Sequence, residues 1–427
     1  MNKNYLITGL AATIFTSHAY SQTLSNLLNK SKTISVSNNG NKPSTGKSVS
    51  GNGEWNKIIF SAPEQLKGMS YSMTAGDFNN DGKTDLAFIG FASLGKGKGV
   101  YVALSNGDGT FKDPVMVEIG GDAGFGITSG YFDKDKTLDI VTANTGHGED
   151  DGNLFLGKGD GTLRMAKPFP ILVPDTYGHN ISLIESADIN GDGSLDILIN
   201  TRGVCYKLGS SSGKFTGETE IKGISGDAGI AMADMDGNGS PDIITGRFGN
   251  EGAGAVMISL NTNGRISAPK SFNLTTGAYD LASIMAVGDL NGDKKPDVIV
   301  GFSADGGRFL NVFINKGDGT LQEPVKYKIA ENGGSIGAVV VGDINGDKKL
   351  DVVAYQKDNA LFVFPGNGDG TLGKTPIQLA AGGANFNTGV NLVLGDFKGN
   401  GMLGIAVKHL DPYGADWIDI INVTKKP

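Results

Sequence analysis

An acidic segment recurs along this chain about every 53 residues, and its spacing constrains the fold more than any other feature. Asp or Asn occupies positions 1, 3, 5 and 9 of this segment, and a short apolar run follows it. The copies, here called acidic loops, begin at Asp77, Tyr131, Asp188, Asp234, Asp289, Asp343 and Asp396. The second and the last copies are degenerate. A period of this length is typical of arrays such as propellers, in which each unit buries its apolar face against its neighbours.

Short apolar stretches within each unit, separated by Gly, Asn and Asp, predict four β-strands. An Asp-Gly pair before the fourth strand, as in Asn106–Phe111, supplies the positive φ angle that a tight hairpin needs. The strands predicted for the first unit, with the acidic loop between the first two, are residues 71–75, 86–90, 100–104 and 115–119. The sequence therefore predicts an all-β fold.

The two ends of the chain complement each other. The seventh unit ends with its third strand, Trp417–Val423, and lacks a fourth. Before the first unit, Lys57–Phe60 follows a turn at Asn52–Trp55 and has the pattern of an orphan fourth strand. We predict a seven-bladed β-propeller closed by this N-terminal strand, because closure removes the open edges that promote aggregation. An open β-solenoid and separate small β domains are alternatives, but neither explains the permuted final unit.

The N-terminal region predicts export. Met1–Ser21 has the Lys-bearing start, the apolar run and the small residues of a secretory signal peptide. Residues 22–53 are rich in Ser, Asn, Lys and Gly and are expected to form a flexible leader before a propeller at residues 54–427. No later segment has the ~20 continuous apolar residues that a membrane span requires. The expected protein is secreted or at the cell surface, with the periplasm as an alternative.

The acidic loops are the predicted metal sites. Short oxygen-bearing side chains at alternating positions of a tight turn converge on one point, and calcium takes about six to eight oxygen ligands. The alternative, an Asp- and Gly-rich turn without a metal, accounts for one copy more readily than for five. About five calcium ions are predicted as cofactors. Their side-chain ligands are Asp77, Asn79, Asp81, Asp85, Asp188, Asn190, Asp192, Asp196, Asp234, Asp236, Asn238, Asp242, Asp289, Asn291, Asp293, Asp297, Asp343, Asn345, Asp347 and Asp351.

The degenerate loops depart from this pattern in different ways. Tyr131 replaces the first carboxylate of the second unit, which leaves metal binding by the loop of Asp133 open. In the loop that begins at Asp396, Lys398 and Gly404 replace positions 3 and 9, and no calcium is expected there. The formal net charge of −8 repels nucleic acid, so no nucleic-acid partner is expected.

The pattern Asp-x-Asn-x-Asp-Gly-x-x-Asp, as in Asp188–Asp196, followed by an apolar strand, resembles the FG-GAP/VCBS repeats of integrin α-chain propellers. The resemblance covers roughly residues 54–427, although the Phe-Gly and Gly-Ala-Pro pieces survive only as fragments such as Phe248-Gly249. It implies seven blades with calcium between the first two strands of a blade. Propellers of this type serve in adhesion, as sugar-binding lectins and in some polysaccharide lyases, so the fold does not fix the function.

The face opposite the acidic loops is the predicted binding face, because its loops vary and carry aromatic side chains beside Asp and Asn. Such side chains stack on sugar rings and bind their hydroxyl groups. We therefore expect an adhesion or binding module for a glycan or an extracellular protein, of undetermined oligomeric state. The candidate ligand-binding residues are Tyr177, His179, Tyr279, Asp280, Phe386, Tyr413 and Trp417.

The alternative function is that of a polysaccharide lyase or another carbohydrate-active enzyme on the same scaffold. His147 beside Glu149, or His179 near Asp175, could act as a general base. A solvated polar loop is the better explanation of either histidine, and no catalytic residue is assigned.

Overall fold

The structure is a computed structural model, and it describes residues 47–48, 55, 58–61, 64–67, 70–90, 98–119, 124–133, 135–144, 152–166, 168–171, 183–200, 203–224, 229–247, 254–274, 284–304, 306–331, 334–356, 360–380, 392–410 and 416–426. Across these ranges the regular elements are β-strands, as predicted. None of the described segments forms a helix of the length and apolarity that crossing a membrane would require.

Seven antiparallel sheets of four strands form the blades of a β-propeller, which confirms the predicted fold. Blade 1 has the strands Ser70–Gly76, Asp85–Gly90, Gly99–Ala103 and Val115–Glu118. Blade 2 has Gly124–Gly130, Asp139–Asn144, Gly152–Gly157 and Leu163–Met165. Blade 3 has Leu183–Ala187, Asp196–Asn200, Val204–Leu208 and Thr216–Ile221. Those of blades 4 and 5 are Ile230–Ala233, Asp242–Arg247, Ala255–Ser259 and Lys270–Asn273; Ile284–Gly288, Asp297–Ala304, Gly307–Phe313 and Val325–Ala330. Those of blades 6 and 7 are Ile336–Gly342, Asp351–Gln356, Ala360–Phe364 and Ile377–Ala380; Leu392–Gly395, Gly404–Leu410, Asp416–Ile421 and Glu64–Lys67.

Two smaller sheets lie outside the blades. One joins Lys47–Ser48, Ile58–Phe60 and Val423–Lys425, and the other pairs Asn261–Thr262 with Arg265–Ile266.

The first strands of successive blades pack against one another around the ring, and the first strand of blade 7 contacts that of blade 1. An apolar cluster fills each interface between adjacent blades. Between blades 7 and 1, for example, Phe88 and Tyr101 pack with Val393 and Ile418. Burying one large apolar side chain contributes ~1.5–3 kcal/mol, so the ring is stabilised by the sum of these interfaces.

The sheet in which the two ends of the chain meet, here called the seam, differs in detail from the prediction. Glu64–Lys67 pairs with Asp416–Ile421 as the fourth strand of blade 7. The segment predicted for this role, Lys57–Phe60, was the wrong one, because Ile58–Phe60 pairs instead with Val423–Lys425. A repeated sequence signal explains the shift.

The signal is a proline directly before the fourth strand, with an apolar residue three positions before that proline. Phe111-Lys-Asp-Pro114 stands before Val115–Glu118, and Leu321-Gln-Glu-Pro324 stands before Val325–Ala330. Phe60-Ser-Ala-Pro63 has the same spacing. The fourth strand of blade 7 therefore begins after Pro63, at Glu64.

Candidate metal sites

The acidic loops connect the first and second strands of the blades, and the Asp-Gly turns connect the third and fourth. Because strand order and direction repeat from blade to blade, both sets of turns lie on one face of the ring. This is the arrangement that the sequence predicts.

The aspartate at position 9 fastens its loop to the third strand of its own blade. Asp85 is fully buried, and its Oδ2 accepts a hydrogen bond from Phe78 N–H while its Oδ1 accepts one from Ser105 N–H, at N···O distances of 3.0 and 2.8 Å. The same pair of bonds joins Asp139 to Phe132 and Gly157, Asp196 to Ile189 and Gly209, Asp242 to Met235 and Asn261, Asp297 to Leu290 and Asn315, and Asp351 to Ile344 and Gly366.

Burial of these carboxyls makes their charge unfavourable. Desolvation raises the pKa of Asp85 and of Asp242 to about 7, and that of Asp351 to about 8, although backbone hydrogen bonds oppose the shift. The other carboxylates of each loop add smaller repulsions in the same direction. A cation held by the loop would remove this penalty, because it favours the charged form of every carboxylate around it.

The carboxylate at position 1 organises the turn. In blade 3, Asp188 Oδ1 accepts hydrogen bonds from the backbone N–H groups of Gly191 and Asp192, and Oδ2 accepts one from Gly193, at N···O distances of 2.8 to 3.0 Å. Asn190 Oδ1 accepts another from Asp192 N–H at 3.0 Å. The side chains at positions 1 and 3 are thus turned into the loop rather than away from it.

Three carboxylates converge in the loop of blade 4. Asp234, Asp236 and Asp242 each place a carboxylate oxygen within 4.8 Å of the others. A set of carboxylate and amide oxygens at this spacing suits a hard divalent cation such as calcium, which takes oxygen ligands at ~2.3–2.6 Å. The residues of the intact loops therefore fit the predicted metal.

The degenerate loop of blade 2 keeps part of this arrangement. Asp133, Asp135 and Asp139 also bring carboxylate oxygens within 4.8 Å of one another, although Tyr131 stands at position 1 and is exposed. The three remaining carboxylates therefore converge without a carboxylate at position 1 of the loop.

The degenerate loop of blade 7 is built differently. Asp396 still accepts hydrogen bonds from Asn400 N–H and Gly401 N–H, but Gly404 offers no carboxylate at position 9. Asn400 Nδ2 donates to Val423 O at 3.1 Å, as the position-5 asparagine of blade 4, Asn238, does to Asn261 O. Lys398 contributes, after the Thr110 hydrogen bonds, to holding the pKa of Asp108 in the neighbouring blade below its usual value.

The loops also differ in the residue at position 7. In blade 1, Lys83 Nζ lies 3.0 Å from Asp81 Oδ2, and in blade 5, Lys295 Nζ lies 3.8 Å from a carboxylate oxygen of Asp293. Blades 3 and 4 have Ser194 and Ser240 at this position. An ammonium group would therefore compete with a metal for the position-5 carboxylate in blades 1 and 5, where the ion pair is present.

The candidate ligand-binding residues Tyr177, His179, Tyr279, Asp280, Phe386 and Tyr413 lie outside the described residues, as does His147. Trp417 lies in the third strand of blade 7, where its backbone pairs with His409 and Lys67. The proposed binding face is thus not tested by the described parts of the chain.

Sequence reasoning missed a set of polar residues that follow the third strands, namely Ser105, Asn261 and Asn315. Each has a buried side chain that donates a hydrogen bond to a main-chain carbonyl of the preceding blade's acidic loop, at 3.1, 2.8 and 3.0 Å. A signal is present, since Ser105-Asn-Gly and Asn315-Lys-Gly occupy equivalent positions.

Known proteins share both the repeat and the fold. The family model of the FG-GAP-like repeat matches residues 77–142, 131–199, 289–354 and 343–407, which together make up more than half of the chain. Integrin alpha-6 of Gallus gallus is 29% identical over 147 residues, which are 32% of this chain and 14% of that protein. This chain therefore corresponds to a small part of that relative.

A solved structure of a lectin from Agrocybe aegerita, described as specifically recognising non-reducing terminal N-acetylglucosamine, has a TM-score of 0.51 and 21% sequence identity with this chain. The match covers 87% of this chain and 85% of the lectin. At this identity the likeness concerns the fold alone.

Proposed function

This chain belongs to the FG-GAP-like repeat family, and on that premise we propose that it is an exported propeller, stabilised by calcium, that binds a glycan or an extracellular protein. The proposal has three parts: the metal, the partner and the location. Each has its own experiment.

The calcium part rests on the five intact acidic loops, in which oxygen side chains converge beside a buried position-9 aspartate. The ions would be held by the side chains at positions 1, 3, 5 and 9. In blade 4, where three carboxylate oxygens lie within 4.8 Å of one another, these are Asp234, Asp236, Asn238 and Asp242. A bound divalent cation supplies positive charge where burial otherwise raises the pKa of the carboxyls, and it stabilises the folded chain by mass action.

Elemental analysis of the purified protein, dialysed against calcium, tests this part and should give about five equivalents, in keeping with five intact loops. Asp234→Ala should lose one equivalent. The matched control is Asp108→Ala, which removes an exposed carboxylate from an Asp-Gly turn of the same face and should lose none. A wild-type protein that holds no calcium and melts at the same temperature in chelator would contradict the proposal.

The partner part is supported by the family and by the kinds of relatives that carry this fold: an integrin α-chain and a sugar-binding lectin. The candidate contact residues remain Tyr177, His179, Tyr279, Asp280, Phe386, Tyr413 and Trp417. A glycan array that includes glycans ending in N-acetylglucosamine, probed with and without calcium, is the first test.

Variants of the candidate residues then identify the binding face. Tyr279→Ala and Tyr413→Ala should weaken binding to any glycan found on the array. Tyr131→Ala removes an exposed aromatic ring from the face of the acidic loops and should leave binding unchanged. Weaker binding in Tyr131→Ala alone would indicate that the binding site lies on the face of the acidic loops.

A polysaccharide lyase or another carbohydrate-active enzyme is the second candidate function. It is distinguished by product formation from any polysaccharide that the protein retains, measured by the ultraviolet absorbance of unsaturated ends. Loss of product in His147→Ala or His179→Ala, with binding retained, would favour the enzyme over the binding module.

The location part is supported by the sequence of Met1–Ser21 and by the integrin relative. We infer that the mature protein is secreted or held at the cell surface or in the periplasm. Sequencing the N-terminus of the natural protein should give a start near Gln22, whereas an intact Met1 in an intracellular fraction would refute export.

A further inference from the structure

Asn261 connects two acidic loops that belong to different blades. It follows the third strand of blade 4, and its side chain is fully buried. Its Nδ2 donates to Ile189 O, at position 2 of the blade 3 loop, at 2.8 Å. Its backbone N–H donates to Asp242 Oδ1, at position 9 of the blade 4 loop, at 2.7 Å. One residue therefore contacts the loops on both sides of the interface between blades 3 and 4.

The contacts within blade 4 include a further predicted calcium ligand. Asn238, at position 5 of the blade 4 loop, donates from Nδ2 to Asn261 O at 2.8 Å. Asn261 Oδ1 accepts from Gly264 N–H at 2.8 Å, so the orientation of the side chain amide is fixed as well. The donors and the acceptors of Asn261 are thus committed to the two loops and to the turn beside them.

On the side of blade 3, the peptide that Asn261 holds is itself bound to a predicted ligand. Ile189 N–H donates to Asp196 Oδ2 at 2.8 Å, while Ile189 O accepts from Asn261 Nδ2. A continuous path of hydrogen bonds therefore runs from Asp196 in blade 3 through Ile189 and Asn261 to Asp242 in blade 4. Both ends of the path are carboxylates at position 9.

The side chain of Asn261 is not needed to build a blade. Blades 2, 3 and 6 have Gly157, Gly209 and Gly366 at the equivalent position, and each glycine still donates its N–H to the position-9 aspartate of its own blade. What asparagine adds is the link to the neighbouring loop. Burying a polar amide is unfavourable unless it is hydrogen-bonded, so the buried amide of Asn261 depends on its bond to the neighbouring loop.

We propose that Asn261 couples calcium binding in the acidic loops of blades 3 and 4, so that an ion in either loop raises the affinity of the other. This inference rests on the proposed calcium sites. An ion in the blade 4 loop fixes Asn238 and Asp242, and with them Asn261 and the peptide of Ile189. The blade 3 loop is then already partly ordered, and the second ion binds with a smaller loss of conformational entropy.

The test reads each loop separately. Hydrogen exchange and mass spectrometry on the full chain, over a range of free calcium concentrations, gives one midpoint for a fragment that contains residues 188–196 and another for residues 234–242. Disabling the blade 4 site by Asp234→Ala should shift the midpoint of residues 188–196 to about fivefold higher calcium or more, the lower end of usual coupling strengths. In an Asn261→Gly background, the same Asp234→Ala change should shift it by less than about twofold.

Two further variants make the test specific. Asn315→Gly removes the corresponding link between blades 4 and 5, in which Asn315 Nδ2 donates to Met235 O, and should leave the coupling between blades 3 and 4 intact. Asn261→Ser should restore coupling, because the hydroxyl of Ser105 reaches the equivalent carbonyl, Phe397 O, at the interface between blades 7 and 1. If Asn261→Gly does not fold, Asn261→Ala takes its place.

The outcomes separate this inference from the proposed function. If calcium protects neither fragment in the wild type, the calcium proposal fails and the coupling fails with it. If calcium protects both fragments but Asp234→Ala does not shift residues 188–196, only the coupling is overturned. A shift of equal size with and without the Asn261 side chain would also overturn it.

Discussion

The aspartate at position 9 of the blade 6 loop offers the sharpest test of what the acidic loops do. Asp351 is fully buried, and it accepts hydrogen bonds from Ile344 N–H at 3.0 Å and from Gly366 N–H at 2.8 Å. Asp351→Ala leaves both N–H groups without an acceptor, at about 1–3 kcal/mol each. Because burial raises the pKa of Asp351 to about 8, the acid is largely neutral at pH 7 in chelator and is a weaker acceptor. We therefore expect a loss of about 2–3 kcal/mol in the free energy of unfolding under those conditions.

Calcium should enlarge this loss. An ion present at about 100 times its dissociation constant stabilises the folded chain by ~2.7 kcal/mol, and the variant forfeits one such contribution. The total difference in calcium is then roughly 5 kcal/mol, the sum of the two effects. Urea unfolding at pH 7, in calcium and in EDTA, measures both values from the shift of the midpoint.

The control is Asp369→Ala in the same blade. Asp369 lies exposed in the Asp-Gly turn and accepts from Thr371 N–H at 3.0 Å, so its loss should lower stability only slightly, and equally in both media. If Asp351→Ala is no worse than Asp369→Ala in EDTA, the buried hydrogen bonds of Asp351 do not fasten the loop. If its stability difference is the same in both media, Asp351 does not bind calcium.

Three further substitutions or reagents test other contacts. Lys83→Ser should raise the calcium affinity of the blade 1 loop by up to about fivefold in a calcium titration, because an exposed ion pair is worth at most ~1 kcal/mol; an unchanged affinity would show that the ammonium does not compete. Burial raises the pKa of the Cys205 thiol to about 12, so at pH 8 the folded protein should resist a thiol reagent that labels it at once in guanidinium; fast labelling of the folded chain would contradict this. Gly109→Ala places a methyl carbon against the side-chain amide of Asn422, across the interface between blades 1 and 7. It should lower the melting temperature more than Gly401→Ala, which also has a positive φ but open space around it; equal effects would mean that this interface is not tightly packed.

The spacing of the acidic loops predicted the blades because it records a local constraint. An aspartate such as Asp196 begins the second strand and bonds to Ile189 seven residues earlier, so its position is fixed by its own hairpin. Blades 1 to 6 repeat this hairpin, so the period appears directly in the sequence. The order of strands followed from the same repeat.

Contacts between blades could not be predicted in this way. Asn261 bonds to Ile189, which lies 72 residues away, and nothing in the local pattern indicates that an asparagine there faces a neighbouring loop rather than solvent. The seam was misplaced for a related reason. Lys57–Phe60 is the more apolar segment, but the strand that pairs with Asp416–Ile421 is Glu64–Lys67, at the edge of its sheet, where apolar residues are not required.

The seam also decides when the molecule can become complete. Blade 7 takes three strands from the end of the chain and its fourth, Glu64–Lys67, from near the beginning. The sheet of blade 7 can therefore form only after Asp416–Ile421 has been synthesised. Bringing this strand to Glu64–Lys67 closes a loop of most of the chain, which is slow compared with forming a hairpin. Until that moment the edge of Asp416–Ile421 stays unpaired, so the interval before closure is the stage at which this chain is most prone to pair with another copy of itself.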